Sequence, residues 1–195
     1  SLGLVGSEMC IRDRSKCHVG LEEGILGEYL TDRLTEEAVS FIKSHSEGPF
    51  FLHLSHHAVH TVLQAPDSLI NKYRNKTPGK YHKNPIYAAM IEKLDDSVGR
   101  ICQVIKTLGI ADRTIVIFYS DNGGSEPVTD NYPLNGGKGM PYEGGSRVPL
   151  IIRWTGKIEG GIRSSVPITG VDFYPTFVTL AQGKICLLYT SPSPR

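Results

Sequence analysis

The chain has 195 residues, 39% hydrophobic and 21% charged, enough to bury a core in one domain or a large piece of one. Its 21 Lys and Arg against 20 Asp and Glu leave a formal charge of +1, which argues against a basic nucleic-acid or membrane-surface patch as the main theme. No apolar run approaches the roughly 20 residues of a membrane span.

The two ends stand apart from the rest. Residues 4–14 read LVGSEMCIRDR and residues 186–195 read CLLYTSPSPR. One codon choice for the first has a reverse complement that encodes the second, and the shared DNA resembles a transposon-end adapter used to prepare sequencing libraries. Residues 1–14 and 186–195 are therefore expected to be non-native and are set aside. Residues 15–185 are expected to be the natural polypeptide. Two of the four cysteines, Cys10 and Cys186, fall in the ends. Cys17 and Cys102 make neither a disulfide framework nor a CxxC metal pattern.

The first predicted element is an amphipathic helix over residues 31–45. Leu34, Ala38, Phe41 and Ile42 share one face, Thr31 or Asp32 is the expected cap, and Gly48-Pro49 stops it. Residues 50–54, FFLHL, suit a buried strand. Residues 55–83 are polar, punctuated by Pro66, Pro78 and Gly79, and read mostly as loop. Residues 86–108 form a long helix with a stripe of Ile86, Met90, Leu94, Val98, Ile101, Ile105 and Leu108, and Gly109 at its C′ position.

Residues 114–119, TIVIFY, read as a buried central strand. Residues 120–145 hold seven of the 21 glycines and form a long loop of functional character. Strand character returns over residues 147–154, and a helix closes the order over residues 171–181. This alternation predicts an α/β domain with a largely parallel sheet flanked by helices.

Four features can carry chemistry. Asp121-Asn122-Gly123-Gly124 follows the predicted central strand, where ligands of open α/β sheets sit. Its carboxylate and amide oxygens are hard donors for Ca²⁺ or Mg²⁺, although Asp-Asn-Gly is also ordinary turn chemistry. Gly136-Gly137-Lys138-Gly139 lets backbone and one ammonium approach an oxyanion, or is a solvated loop. It is not a Walker A motif. His53, His56, His57 and His60 form a cluster that reads better as one catalytic histidine with neighbours than as a zinc site. Glu143 and Arg147 either serve substrate binding or fix the loop as a charged pair.

Together these residues resemble a sulfatase of the alkaline-phosphatase-like superfamily. The resemblance runs over residues 29–183 in six ordered blocks: YLTDRLTEEAVSFIKSH, PFFLHLSHHAVHTVLQAP, YAAMIEKLDDSVGRI, TIVIFYSDNGG, GGKGMPYEGGSRVPLIIRW and TGVDFYPTFVTLA. Residues 15–185 are then expected to be an internal to C-terminal part of the catalytic domain, with the first strands missing. The variety is similar to secreted bacterial arylsulfatase-type enzymes, many of which act on sulfated polysaccharides.

The resemblance implies roles. Asp121 and Asn122 match calcium ligands, and Lys138 matches the lysine that contacts the sulfate and the leaving-group oxygen. His60 matches a histidine that binds sulfate and helps protonate the leaving group. Val59 and Val62 stand where the family often has proline. Sulfate hydrolysis needs its spread charge neutralised and its leaving group protonated. The family's nucleophile is formylglycine made from a cysteine in C-x-[PAS]-x-R. None of the four cysteines here begins that pattern, so the chain alone is expected to be inactive, with an incomplete Ca²⁺ site.

The implied partner is a sulfated small molecule or glycan, with no nucleic acid and no membrane span, and the family habit implies a periplasmic or secreted location. Two further readings keep the fold: a metal-dependent phosphatase or phosphodiesterase, and a non-catalytic glycan-binding pseudo-sulfatase.

Overall fold

The computed structural model describes residues 27–184. The expectations for residues 1–14 and 186–195, and for Cys17, lie outside the described residues. The chain divides into two units at residue 159/160, and each is taken by itself.

The first unit is built on three helices. Helix α1, Leu30–Ser44, buries Leu34, Ala38, Val39 and Ile42, the apolar face expected from its period. Its N-cap is Tyr29, with no side-chain cap bond; neither Thr31 nor Asp32 caps it. Both residues are already inside the first turn, and Thr31 is buried.

Helix α2, Asp67–Arg74, corrects the expectation of loop over residues 55–83. Its sequence DSLINKYR buries only Ile70, so it carries almost no apolar stripe to read. It holds its place by packing on α3, with Lys72 bonded to Glu92 at 2.6 Å.

Helix α3, Pro85–Thr107, starts on a side-chain cap. Asn84 Oδ1 accepts from the Ile86 and Tyr87 amides at 3.0 and 3.1 Å, and Pro85 occupies a position where a missing N–H costs nothing. The helix ends in a Schellman motif. Gly109, at φ +69°, donates to the Lys106 carbonyl, and Ile110 donates to Ile105. That closure carries Ile110 back onto Ile105. Both are buried with Ile42, and Phe50, Leu52, Ile101 and Val116 pack around them. This cluster is where α1, α3 and the sheet meet.

Strand β1, Ile115–Tyr119, pairs antiparallel with β2, Leu150–Trp154, from Ile115 opposite Trp154 to Tyr119 opposite Leu150. The largely parallel pairing expected from the sequence is not seen among the described residues. The reason is topological: parallel neighbours need a crossover, commonly a helix, whereas β1 and β2 are joined by a loop that turns back at one end. β1 is half-buried, not fully buried, and β2 leaves Ile151 61% exposed.

Residues 50–54 form no strand, only an isolated bridge at Leu54. They keep a strand's alternation: Phe50 and Leu52 face the core cluster while Phe51 and His53 are exposed. No ladder partner for them lies among the described residues.

In the second unit, a 3-10 turn at Gly170–Asp172 leads into helix α5, Phe173–Leu180, within the expected span. Thr169 and Asp172 form a reciprocal capping box, and Pro175 falls in the first helical turn, where no ladder bond needs its N–H.

Candidate functional site

The loop of residues 120–149 leaves the end of β1 and returns at the start of β2. Ser120 Oγ donates to the Asn122 carbonyl at 2.9 Å, closing a tight turn over Asp121. Asp121 is exposed and Asn122 half-buried. Beyond them the chain is held by backbone bonds, each with a glycine on at least one side. The Gly123 amide donates to Gly145 at 2.9 Å, the Lys138 amide to Gly124 at 2.9 Å, and the Gly144 amide to Asn135 at 2.8 Å. A Cβ on Gly123 would overlap the Gly144 carbonyl oxygen, and one on Gly144 would overlap that of Gly136. Only side-chain-free residues allow the three segments to approach this closely.

The consequence is that Asp121-Asn122 and Lys138, distant in sequence, belong to one backbone-bonded body. The Lys138 side chain is exposed, and no carboxylate pairs with it among the described residues. What is tied to the strand end that carries Asp121 and Asn122 is the Lys138 backbone, through its amide bond to Gly124. The segment Glu143–Ser146 forms a single helical turn, α4, where Arg147 meets Glu143 at 3.2 Å. That contact favours the loop-fixing reading of Glu143 and Arg147. Both are exposed, so it contributes little to stability.

The histidine loop is a separate construction. His56 Nε2 lies 3.0 Å from Ser97 Oγ of α3, and Ser97 lies 2.7 Å from Thr35 Oγ1 of α1. Burial pushes His56 down to about 4, so the ring is neutral. Through Ser97 it tethers the loop to α1 and α3.

His60 is half-buried. Its Nδ1 is 2.7 Å from the Thr61 carbonyl. A carbonyl only accepts, so Nδ1 carries the proton and Nε2 is the nitrogen left to exchange one. The His57 ring stands 5.3 Å away, tilted. No hydrogen bond joins His60 to the glycine loop among the described residues, so the structure groups Asp121, Asn122 and Lys138 but keeps His60 on its own loop. No cluster of three or more His, Cys, Asp or Glu poised to hold a metal occurs among the described residues.

The sulfatase family model matches residues 4–184. The chain belongs to the sulfatase family. A sulfatase of Formosa agariphila is 39% identical over 180 residues, 86% of this chain and 32% of that protein. Human steryl-sulfatase is 35% identical over 80% of this chain and 27% of its own length. The crystal structure of Ps i-CgsB in complex with k-i-k-neocarrahexaose superimposes with a TM-score of 0.77 at 37% identity, covering 86% of this chain and 37% of that one. The chain thus spans about a third of the length of these relatives. Its fold is part of the alkaline-phosphatase-like α/β architecture of sulfatases. None of its helices among the described residues is long and apolar enough to cross a membrane.

Two sets of residues in this sulfatase chain lie beyond the local patterns of its sequence. One is the Thr35–Ser97–His56 network, whose members lie 62 and 41 positions apart, with no local signal. The other is Asn131, whose side chain brackets Gly124. The turn residues Asp130-Asn131-Tyr132-Pro133 beside the glycine-lysine motif were its available signal.

Proposed function

We propose that the whole protein hydrolyses sulfate esters of a polysaccharide through a site to which this chain gives Asp121, Asn122, Lys138 and His60. The observation that carries this reading is the Lys138 amide bonded to Gly124 at 2.9 Å, which ties the cation to the strand end bearing Asp121-Asn122.

Asp121, exposed, and Asn122, half-buried, offer adjacent oxygen donors, which fit Ca²⁺ and not a soft or tetrahedral metal. They would hold it with ligands from outside the described residues, and bound calcium would neutralise sulfate charge. The Lys138 ammonium binds a sulfate oxygen and offsets charge that grows on the bridging oxygen. His60, with Nδ1 fixed on the Thr61 carbonyl, presents Nε2–H in its protonated form to the departing oxygen.

The nucleophile, formylglycine, has no source among the four cysteines of this chain, so residues 1–195 alone are inactive. Residues 1–14 and 186–195 are adapter-derived in this reading, and residues 15–185 are a partial catalytic domain. The similarity to a protein solved with k-i-k-neocarrahexaose supports the polysaccharide reading. Family habit supports a periplasmic or secreted location.

The test is to sequence outward from residues 15–183 in the source DNA and to express the complete reading frame. A C-x-[PAS]-x-R motif upstream, sulfate release with calcium, and loss of that release in Lys138→Ala are the expected results. Absence of the motif in the complete frame would overturn the catalytic reading in favour of a binding protein.

A further inference from the structure

We propose that Asn131 is the positioning residue that sets Lys138 against Asp121-Asn122. Its side-chain amide grips both polar groups of one residue: Oδ1 accepts from the Gly124 amide at 2.9 Å, and Nδ2 donates to the Gly124 carbonyl at 3.0 Å. The same carbonyl accepts from the Lys138 amide at 2.9 Å. Both acceptor sites of that oxygen are therefore filled, one by Asn131 and one by Lys138. The grip takes the place of a strand partner where β1 has already ended.

The space around it admits little else. A Cβ on Gly137, the residue before Lys138, would lie 2.6 Å from the Gly124 carbonyl oxygen and 2.9 Å from Asn131 Nδ2. Asn131 is itself fixed from its own turn: its carbonyl accepts from Leu134 at 2.9 Å, and Asp130 Oδ1 accepts from Tyr132 at 2.7 Å. A single amide thus transmits the position of one turn to the backbone of the cation and of the oxygen donors together. Aspartate cannot replace it when ionised, because a carboxylate oxygen would face the Gly124 carbonyl. Once protonated it regains one donor and one acceptor in the same shape.

This inference rests on the assignment of Lys138 to the sulfate, and the experiment separates the two. In the complete enzyme, kcat and KM are measured from pH 8 to pH 5 for wild type, Asn131→Ala, Asn131→Asp and Lys138→Ala. Glu126, Asp130 and His82, which bonds Thr129 at 3.1 Å, flank the turn in all four proteins, so each rate is expressed as a ratio to wild type at the same pH.

Asn131→Ala is expected to lose about 100-fold in kcat at every pH, the cost of a displacement near 1 Å. Asn131→Asp is expected to lose similarly at pH 8, and its ratio is expected to recover about tenfold toward pH 5, where the neutral acid restores the grip. A wild-type kcat in Asn131→Ala, or a pH-independent ratio in Asn131→Asp, overturns the inference while leaving Lys138 assigned. Full activity in Lys138→Ala overturns both. Failure of both Asn131 variants to fold at every pH also overturns it, since the residue would then be a structural one.

Discussion

His56 Nε2 lies 3.0 Å from Ser97 Oγ, so the loop that carries His60 is moored between α1 and α3 by a histidine. A hydroxyl has one proton, which orders the chain of bonds. Thr35 donates to the Thr31 carbonyl at 2.6 Å, Ser97 then donates to Thr35, and His56 Nε2–H donates to Ser97. Nδ1 is left as a buried atom with no partner. A second proton would go to that nitrogen and find no acceptor, which is why burial holds His56 at about 4.

The sign of the pH effect follows. An unfolded histidine has its ordinary value near 6.5. Between about pH 6.5 and 4 the unfolded chain binds a proton that the folded chain refuses, so stability falls as pH drops through that window and is constant above it. The shift corresponds to roughly 3 kcal/mol. His56→Gln should lose about 1 kcal/mol at pH 7 and show a shallower acid loss, because it keeps a donor for Ser97 and does not titrate. Urea midpoints at pH 7 and pH 4.5 measure both. An equal acid loss in variant and wild type would remove His56 as the cause.

What could be read in the sequence was what local period encodes. The α3 stripe announced Met90 and Ile105, and Gly109 announced the turn that buries Ile110. Ser97 lies on α3, fully buried, and could not be read as such, because its partners come from α1 and from the histidine loop. The antiparallel pairing of β1 with β2 is not legible in the alternation of elements, which does not specify pairing direction; the return path between the two strands does. α2 is not legible in the sequence, because one buried isoleucine makes no stripe. At the site, Asp121, Asn122 and Lys138 were legible as chemistry-bearing types among glycines. That Asn131 binds them into one body was not, since side-chain to backbone bonds leave no periodic trace.

The glycine contacts give a second prediction, graded by neighbour. Gly144 is buried, and a Cβ there would overlap backbone oxygens of Gly136 and Asn135. Backbone cannot swing aside as a side-chain tip does, so Gly144→Ala should cost roughly 1–3 kcal/mol as overpacking and loosen the loop that holds Lys138. Gly48 meets nothing within 4 Å and has no positive φ, so Gly48→Ala should stay within about 0.5 kcal/mol. Chemical denaturation of the two variants side by side decides it: equal stabilities would mean that the glycine loop is not closely packed.

The fixed tautomer of His60 gives the third. With Nδ1–H committed to the Thr61 carbonyl at 2.7 Å, only Nε2 can serve a substrate. Asparagine places its amide where Nδ1 stands and cannot reach the Nε2 position, whereas glutamine can place a donor near it. In the complete enzyme, His60→Asn should therefore lose about 10²–10⁴-fold in kcat, the usual range for removing a general acid, and His60→Gln should lose less. The loss should also depend on the leaving group. An activated phenol departs without help, while an alkoxide of a sugar needs the proton in the transition state. An aryl sulfate should accordingly tolerate His60→Asn better than a sulfated glycan does. Equal losses on the two substrates would show that His60 binds sulfate without protonating anything, and would leave the proton to Lys138.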